Sequence, residues 1–128
     1  MRWSDMDALG HVHNATFLEY LELARLPVFL GVREAAGAGT HFVVARHTID
    51  YRAELRYRPE PLLVDIWVNH VGRSSCELGY RIHDRQPDVT YADATTVVVN
   101  VDAGSRRSAP WTEAQRAILV GLRPEEAP

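Results

Sequence analysis

The chain contains no lysine. All 14 of its basic residues are arginine, set against 17 acidic residues for a formal net charge of -3. That balance gives no electrostatic reason to expect a nucleic acid as partner. The missing lysine reads as a base-composition bias, although arginine suits phosphate recognition wherever it clusters. Cysteine occurs once, at Cys76, which excludes an internal disulfide and fits a reducing compartment. No apolar run approaches the roughly 20 residues of a membrane span, and no signal peptide is visible, so a cytoplasmic protein without a membrane partner is expected. Internal repeats and low-complexity segments are also missing, apart from a short tail rich in Pro and Glu after Leu122. With 128 residues, the chain is long enough for one hydrophobic core and too short for two. Residues 1–122 are expected to form a single domain and residues 123–128 a short flexible tail.

What is present is organised around Asp7-Ala8-Leu9-Gly10-His11-Val12-His13-Asn14 and the run that follows. An acid, a glycine turn and a helix start fall within a few residues. Asn14 reads as an N-cap, whose short side chain satisfies an orphan amide of the first turn. Beyond it, Phe17, Leu18, Leu21, Ala24 and Val28 recur at helical spacing and define a buried face. A helix start that follows a carboxylate and a glycine is a place to hold an oxyanion. The same residues also describe a plain strand-to-helix connection in which Asp7 only fixes a turn.

The segment from Arg2 to Asn14, continued by Phe17-Leu18 and Glu22-Leu23-Ala24-Arg25, resembles the opening of hot-dog-fold acyl-CoA thioesterases of the 4-hydroxybenzoyl-CoA thioesterase-like family. Asp7, Gly10, Val12 and Phe17 occupy the places of that family's signature. The resemblance implies an α+β hot-dog fold, with a long central helix wrapped by a curved, mainly antiparallel sheet and a short C-terminal helix. It implies hydrolysis of an acyl-CoA thioester to the free acid and CoA without any cofactor. Asp7 is then general base or nucleophile. The backbone amide of Asn14 becomes the oxyanion donor, a contact typically worth ~2.7–4 kcal/mol of barrier. A homodimer or homotetramer with sites at the subunit interface is implied as well. In close relatives an Asn often stands where His13 stands here, a departure that bears on substrate choice.

Taken in order, only Met1 to Ser4 remain of the strand that leads into this motif in the resembling proteins, so either that strand is very short or the natural start lies upstream. The first helix is expected over residues 15–30, with Pro27 kinking it or ending its regular part. Gly31, Gly37 and Gly39 mark a loose connection. Strands are expected over residues 41–52, 62–71, 75–83 and 91–102, separated by turns at 56–61, 72–74 and 84–88. Leu62, Val64, Ile66 and Val68 share one face of their strand, and Cys76, Leu78, Tyr80 and Ile82 share one face of the next. Thr112 and Gln115 form a capping box for a last short helix reaching Leu122.

Gly10 is expected to let the backbone approach the substrate, and His13 and Phe17 to touch it. Phe17, Tyr20, Phe42 and Tyr51 are candidate walls of an acyl pocket. Gly72-Arg73-Ser74 brings turn amides, hydroxyls and a guanidinium together, so Arg73 and Ser74 are candidate contacts for the phosphates or pantetheine of CoA. Arg106 and Arg107 are a second candidate pair. Glu22 and Arg25, spaced i, i+3, read as a helix ion pair, with Glu19 or Glu22 as a reserve base. Asp5, Asp7, His11 and His13 invite a metal reading, but no second ligand group at zinc-like spacing follows, so no metal is expected. The alternatives are a non-catalytic acyl-CoA-binding or ligand-sensing domain of the same fold, and a thioesterase acting on acyl carrier protein. A hot-dog dehydratase, with His47 or His70 as its histidine, is a further rival that no motif supports.

Overall fold

A computed structural model describes Val12 and residues 14–36, 40–56, 60–84 and 89–124. Its elements are α1 (Asn14–Ala36), β1 (Thr40–Tyr51), β2 (Leu63–Val71), β3 (Ser75–Asp84), β4 (Val89–Asp102) and α2 (Glu113–Gly121). The four strands form one antiparallel sheet in the order β1-β4-β3-β2. Each pairing contains a register shift, at Val44/Arg46, Val68/His70 and Ile82/His83. Such bulges bend a strand and increase its local twist, which lets a small sheet wrap a helix.

Alternation decides which face meets α1. Cys76, Leu78, Tyr80 and Ile82 on β3 are buried, as are Ala92, Ala94, Thr96, Val98 and Asn100 on β4. The shared faces expected from the sequence are therefore present. From α1, Phe17, Leu21, Phe29 and Val32 fill the same core. The helix runs through Pro27 to Ala36 instead of ending near Leu30. Pro27 is exposed, and so is Leu23, whose carbonyl loses its intrahelical partner; water can serve it there, so the proline does not end the helix. Part of the expected loose connection is thus helical, and Gly37 and Gly39 lie outside the described residues. So do Met1 to Ser4, where the resembling proteins have a strand.

The last helix follows its sequence signals closely. Gln115 donates its backbone N–H to the Thr112 hydroxyl at 3.1 Å, and its side chain accepts from the Thr112 N–H at 3.0 Å, completing the capping box. Gln115 is buried, and its amide reaches the carbonyl of Val32 at 3.4 Å. Just past α2, the carbonyl of Leu122 accepts the N–H of Val68 at 3.1 Å, so the end of α2 covers part of the β2 edge. The β1 edge has no such cover among the described residues. Among those residues no helix is long and apolar enough to cross a membrane.

Candidate active site

The start of α1 opens into a cavity of about 290 Å³ lined by Asn14, Phe17, Tyr51, Arg52, Glu54 and Leu55, with Val12 and Ala53 completing its wall. Two strand-like contacts frame it. Val12 donates its N–H to the carbonyl of Leu55 at 2.7 Å, and the N–H groups of Arg52 and Ala53 point to the carbonyl of Tyr91 at 2.8 and 3.3 Å. The chain beyond β1 is thereby held against the segment that enters α1.

Asn14 is the first residue of α1, one position ahead of the boundary expected from the sequence. The amides of a helix's first turn have no intrahelical partners, and the aligned peptide dipoles leave partial positive charge there. The Tyr51 phenol donates to the carbonyl of Asn14 at 2.9 Å and packs edge-on against the ring of Phe17, with centroids 5.2 Å apart. Burial pushes the Tyr51 phenol above its ordinary pKa, so it remains a proton donor throughout the neutral range. The cavity therefore joins aromatic walls, a helix N-terminus and, among the described residues, the carboxylate of Glu54.

Of the sequence candidates, Asn14 and Phe17 meet in this cavity, and Tyr51 joins them. Asp7, Gly10 and His13 lie outside the described residues. Arg73 and Ser74 are elsewhere: Asn100 donates its N–H to the Ser74 carbonyl, and Trp111 donates to that of Arg73. Tyr51 pairs with Ala92, so this turn lies eight residues along β4 from the cavity, about 27 Å at strand rise. One chain does not bring them to the cavity. Arg106 and Arg107 are exposed in the turn after β4, where Arg106 takes a positive φ of 59°. Sequence reasoning did not single out Glu54 or Arg52; neither sits in a motif, and only the bend after Tyr51 turns them toward the helix start. Among the described residues no cluster of His, Cys, Asp or Glu could hold a metal ion.

The profile of the thioesterase-like superfamily matches residues 1–119. The chain belongs to that superfamily. A putative acyl-CoA thioesterase from Xanthomonas campestris is 38% identical in sequence, with a TM-score of 0.71 over 86% of this chain and 92% of that one. A thioesterase from Thermus thermophilus, solved in complex with coenzyme A and Zn, is 33% identical, with a TM-score of 0.79 over 93% of this chain and 91% of that one. The PA5185 protein of Pseudomonas aeruginosa strain PAO1 superposes with a TM-score of 0.86 over 98% of this chain and 88% of that one; at 24% identity it speaks for the fold alone. The long helix against a bent antiparallel sheet is the hot-dog fold of this thioesterase's relatives, as the 4-hydroxybenzoyl-CoA thioesterase-like opening implied. The protein is thus an enzyme of the class that acts on thioesters.

Proposed function

We propose that this thioesterase hydrolyses acyl-CoA to a free carboxylic acid and CoA, with the thioester carbonyl held at the start of α1. The observation that carries this reading is the cavity in which the α1 N-terminus and the Phe17 and Tyr51 rings converge. Asp7, which lies just upstream in sequence, acts as general base on water or attacks the carbonyl itself. On the first route the water oxygen bonds to the thioester carbon, and Asp7 takes the proton. Negative charge collects on the carbonyl oxygen, and the backbone N–H of Asn14 stabilises it. The C–S bond then breaks, and the proton passes to the departing sulfur. Gly10 admits the substrate close to the backbone, while His13 and Phe17 border the acyl group.

The Xanthomonas and Thermus relatives support CoA as the carrier, because the first is a putative acyl-CoA thioesterase and the second was solved in complex with coenzyme A. We further propose a homo-oligomer that shares its sites between subunits. In such an assembly the Arg73 and Ser74 turn of one copy serves the CoA bound by another, a reach that a single chain does not provide.

The test is release of free thiol from short, medium, long and aromatic acyl-CoAs by the wild type and by Asp7→Asn. A thiol reagent reads this cleanly. Cys76 is buried, and burial pushes its thiol up to about 12, so the folded protein adds no signal of its own. Loss of about a hundredfold or more in Asp7→Asn supports the assignment. Undiminished turnover moves the base to another carboxylate, with Glu54 first because it lines the same cavity. Binding of CoA esters without turnover by the wild type identifies a binding domain instead. Turnover confined to acyl carrier protein esters reassigns the carrier.

A further inference from the structure

The row of the sheet that reaches the cavity is followed by an irregularity. Tyr51, Ala92 and Ile82 lie side by side across β1, β4 and β3. One step further His83 pairs with Thr90, and Tyr91 is left without a ladder partner on β3. Tyr91 is therefore the extra residue of a β-bulge, a device that bends a strand and re-aims a side chain. Its phenol donates to Oδ2 of Asp84. Both residues are buried, Asp84 with 3% of its surface exposed.

Burying a carboxylate is costly unless it is paired, and an apolar side chain would close the core without that cost. What the pair holds is the backbone of Tyr91. The ladder leaves a bulged residue unpaired, so the direction of its peptide depends on where its side chain is tied. On the β1 side the Tyr91 carbonyl accepts the N–H of Arg52 at 2.8 Å and that of Ala53 at 3.3 Å. Consecutive N–H groups of an extended strand point to opposite sides, so sharing one acceptor turns the chain. Strand β1 ends there, and the turn carries Glu54 onto the cavity wall. The Leu55 carbonyl then takes the Val12 N–H at 2.7 Å, two positions ahead of α1. Asp84 and Tyr91 are not lining residues of the cavity; they stand behind its wall.

We propose that Asp84 and Tyr91 are positioning residues for the reaction. Their buried tether sets the turn at Arg52 and Ala53, and through it the way Glu54 and Val12 face the thioester. This rests on placing the thioester in that cavity, but the tether can be read without turnover. The competing role is a clip for the β3–β4 hairpin, whose ends Asp84 and Val89 pair. A clip would change stability and nothing else.

The experiment uses Tyr91→Phe, Asp84→Asn and Asp84→Leu. Gly79→Ala serves as a control, because it crowds Trp67 on the outer face away from the cavity. Acyl-CoA hydrolysis is measured well below the unfolding midpoints, and amide hydrogen exchange is followed by NMR. In Tyr91→Phe the Arg52, Ala53 and Val12 amides should exchange about tenfold faster than the change in global stability accounts for. Its kcat should fall by about ten- to a hundredfold with KM nearly constant, the range for reacting groups misplaced by up to about an ångström. Asp84→Asn keeps an acceptor for the phenol and should retain most of the wild-type rate, whereas Asp84→Leu should behave like Tyr91→Phe. If Asp84→Leu does not fold, Tyr91→Phe decides alone. Wild-type kcat in Tyr91→Phe overturns the proposal. So does an equal fall in kcat in Gly79→Ala at matched stability, which makes the pair a hairpin clip. If the wild type hydrolyses no acyl-CoA, the hydrolase reading falls by itself. Exchange at Arg52, Ala53 and Val12 then decides the tether: faster rates in Tyr91→Phe uphold it, and unchanged rates overturn it.

Discussion

The Tyr51 phenol donates a 2.9 Å hydrogen bond to the carbonyl of Asn14, joining the last residue of β1 to the first residue of α1. The carbonyl of Asn14 and the N–H of Ala15 belong to one rigid peptide plane. Holding the oxygen therefore sets the direction of one of the amides in the first turn of α1. The bond is exposed, so its structural contribution is modest, whereas its geometry bears on the end of the helix where we propose that the thioester carbonyl binds.

Tyr51→Phe tests that link. The ring and its contact with Phe17 remain, and only the hydroxyl is lost. Stability should fall by about 0.5–1.5 kcal/mol at most, the usual net value of one hydrogen bond. If the helix start stabilises charge that develops in the transition state, kcat falls while KM changes little. Steady-state kinetics beside a urea titration separate the two effects. A raised KM at constant kcat makes Tyr51 no more than a pocket wall.

On the outer face of the sheet, Trp67 lies over Gly79. A β-carbon on Gly79 would sit 2.5 Å from the indole, too close for any heavy atom. The indole edge is tied to Asn69 at 2.7 Å, so it cannot move aside without breaking that bond. Gly79→Ala should therefore cost about 1–3 kcal/mol, the range for forcing extra volume into a packed contact. The midpoint of urea unfolding reads this directly. In a Trp67→Ala background the added methyl meets no ring, and the cost of Gly79→Ala should largely vanish. An undiminished cost there would place the clash elsewhere.

Asp93 accepts from both Arg52 and Arg81 across the outer face. Burial works to raise its pKa, but the hydrogen bonds and charges of the two arginines prevail and hold it below the ordinary 3.8. The folded state then favours the ionised form. The contribution is present in full above the unfolded value and is lost as pH falls below 3.8 through the folded one. Both arginines are more than half exposed, which limits the effect to about 1 kcal/mol or less. Asp93→Asn should be less stable than the wild type at pH 7 and should converge on it below that window. Stability curves of the two proteins between pH 2 and pH 7 are the measurement. A constant difference across the range removes the charge from the explanation.

Much of this architecture was legible because period and caps agree locally. The alternation at Cys76, Leu78, Tyr80 and Ile82 needs only a pleated strand to become a core face, and Thr112 with Gln115 needs only three residues of chain. Pro27 misled for a physical reason: whether a proline ends a helix depends on whether its freed carbonyl faces water, which spacing does not reveal. The candidate site was legible at Asn14 and Phe17 because a helix start is a local event. Glu54 joins it only after β1 crosses the sheet and the chain bends at Ala53. Arg25 was misread in a similar way, since i, i+3 spacing permits an ion pair with Glu22 while the tertiary structure offers the Tyr80 hydroxyl instead.

The two edges of the sheet predict how copies would meet. The β2 edge is partly capped where Val68 donates to Leu122, but β1 presents 12 residues with Val43 49% exposed. Beside it, α1 exposes Leu23 at 65%, Leu26 at 52% and Leu30 at 51%. An edge strand with no cover among the described residues, next to apolar side chains, is a template for strand pairing, which monomeric proteins normally block with charge or proline. We expect the wild type to sediment as a dimer or larger at micromolar concentration. Val43→Lys and Leu23→Lys, each placing a charge on an exposed site, should shift it toward monomer while leaving the far-ultraviolet circular dichroism unchanged. Activity then discriminates further. If sites are shared between copies, turnover falls in step with the dimer fraction and recovers as protein concentration is raised. A wild type that sediments as a monomer with full turnover would end the shared-site proposal, and with it any role for Arg73 and Ser74 at the cavity.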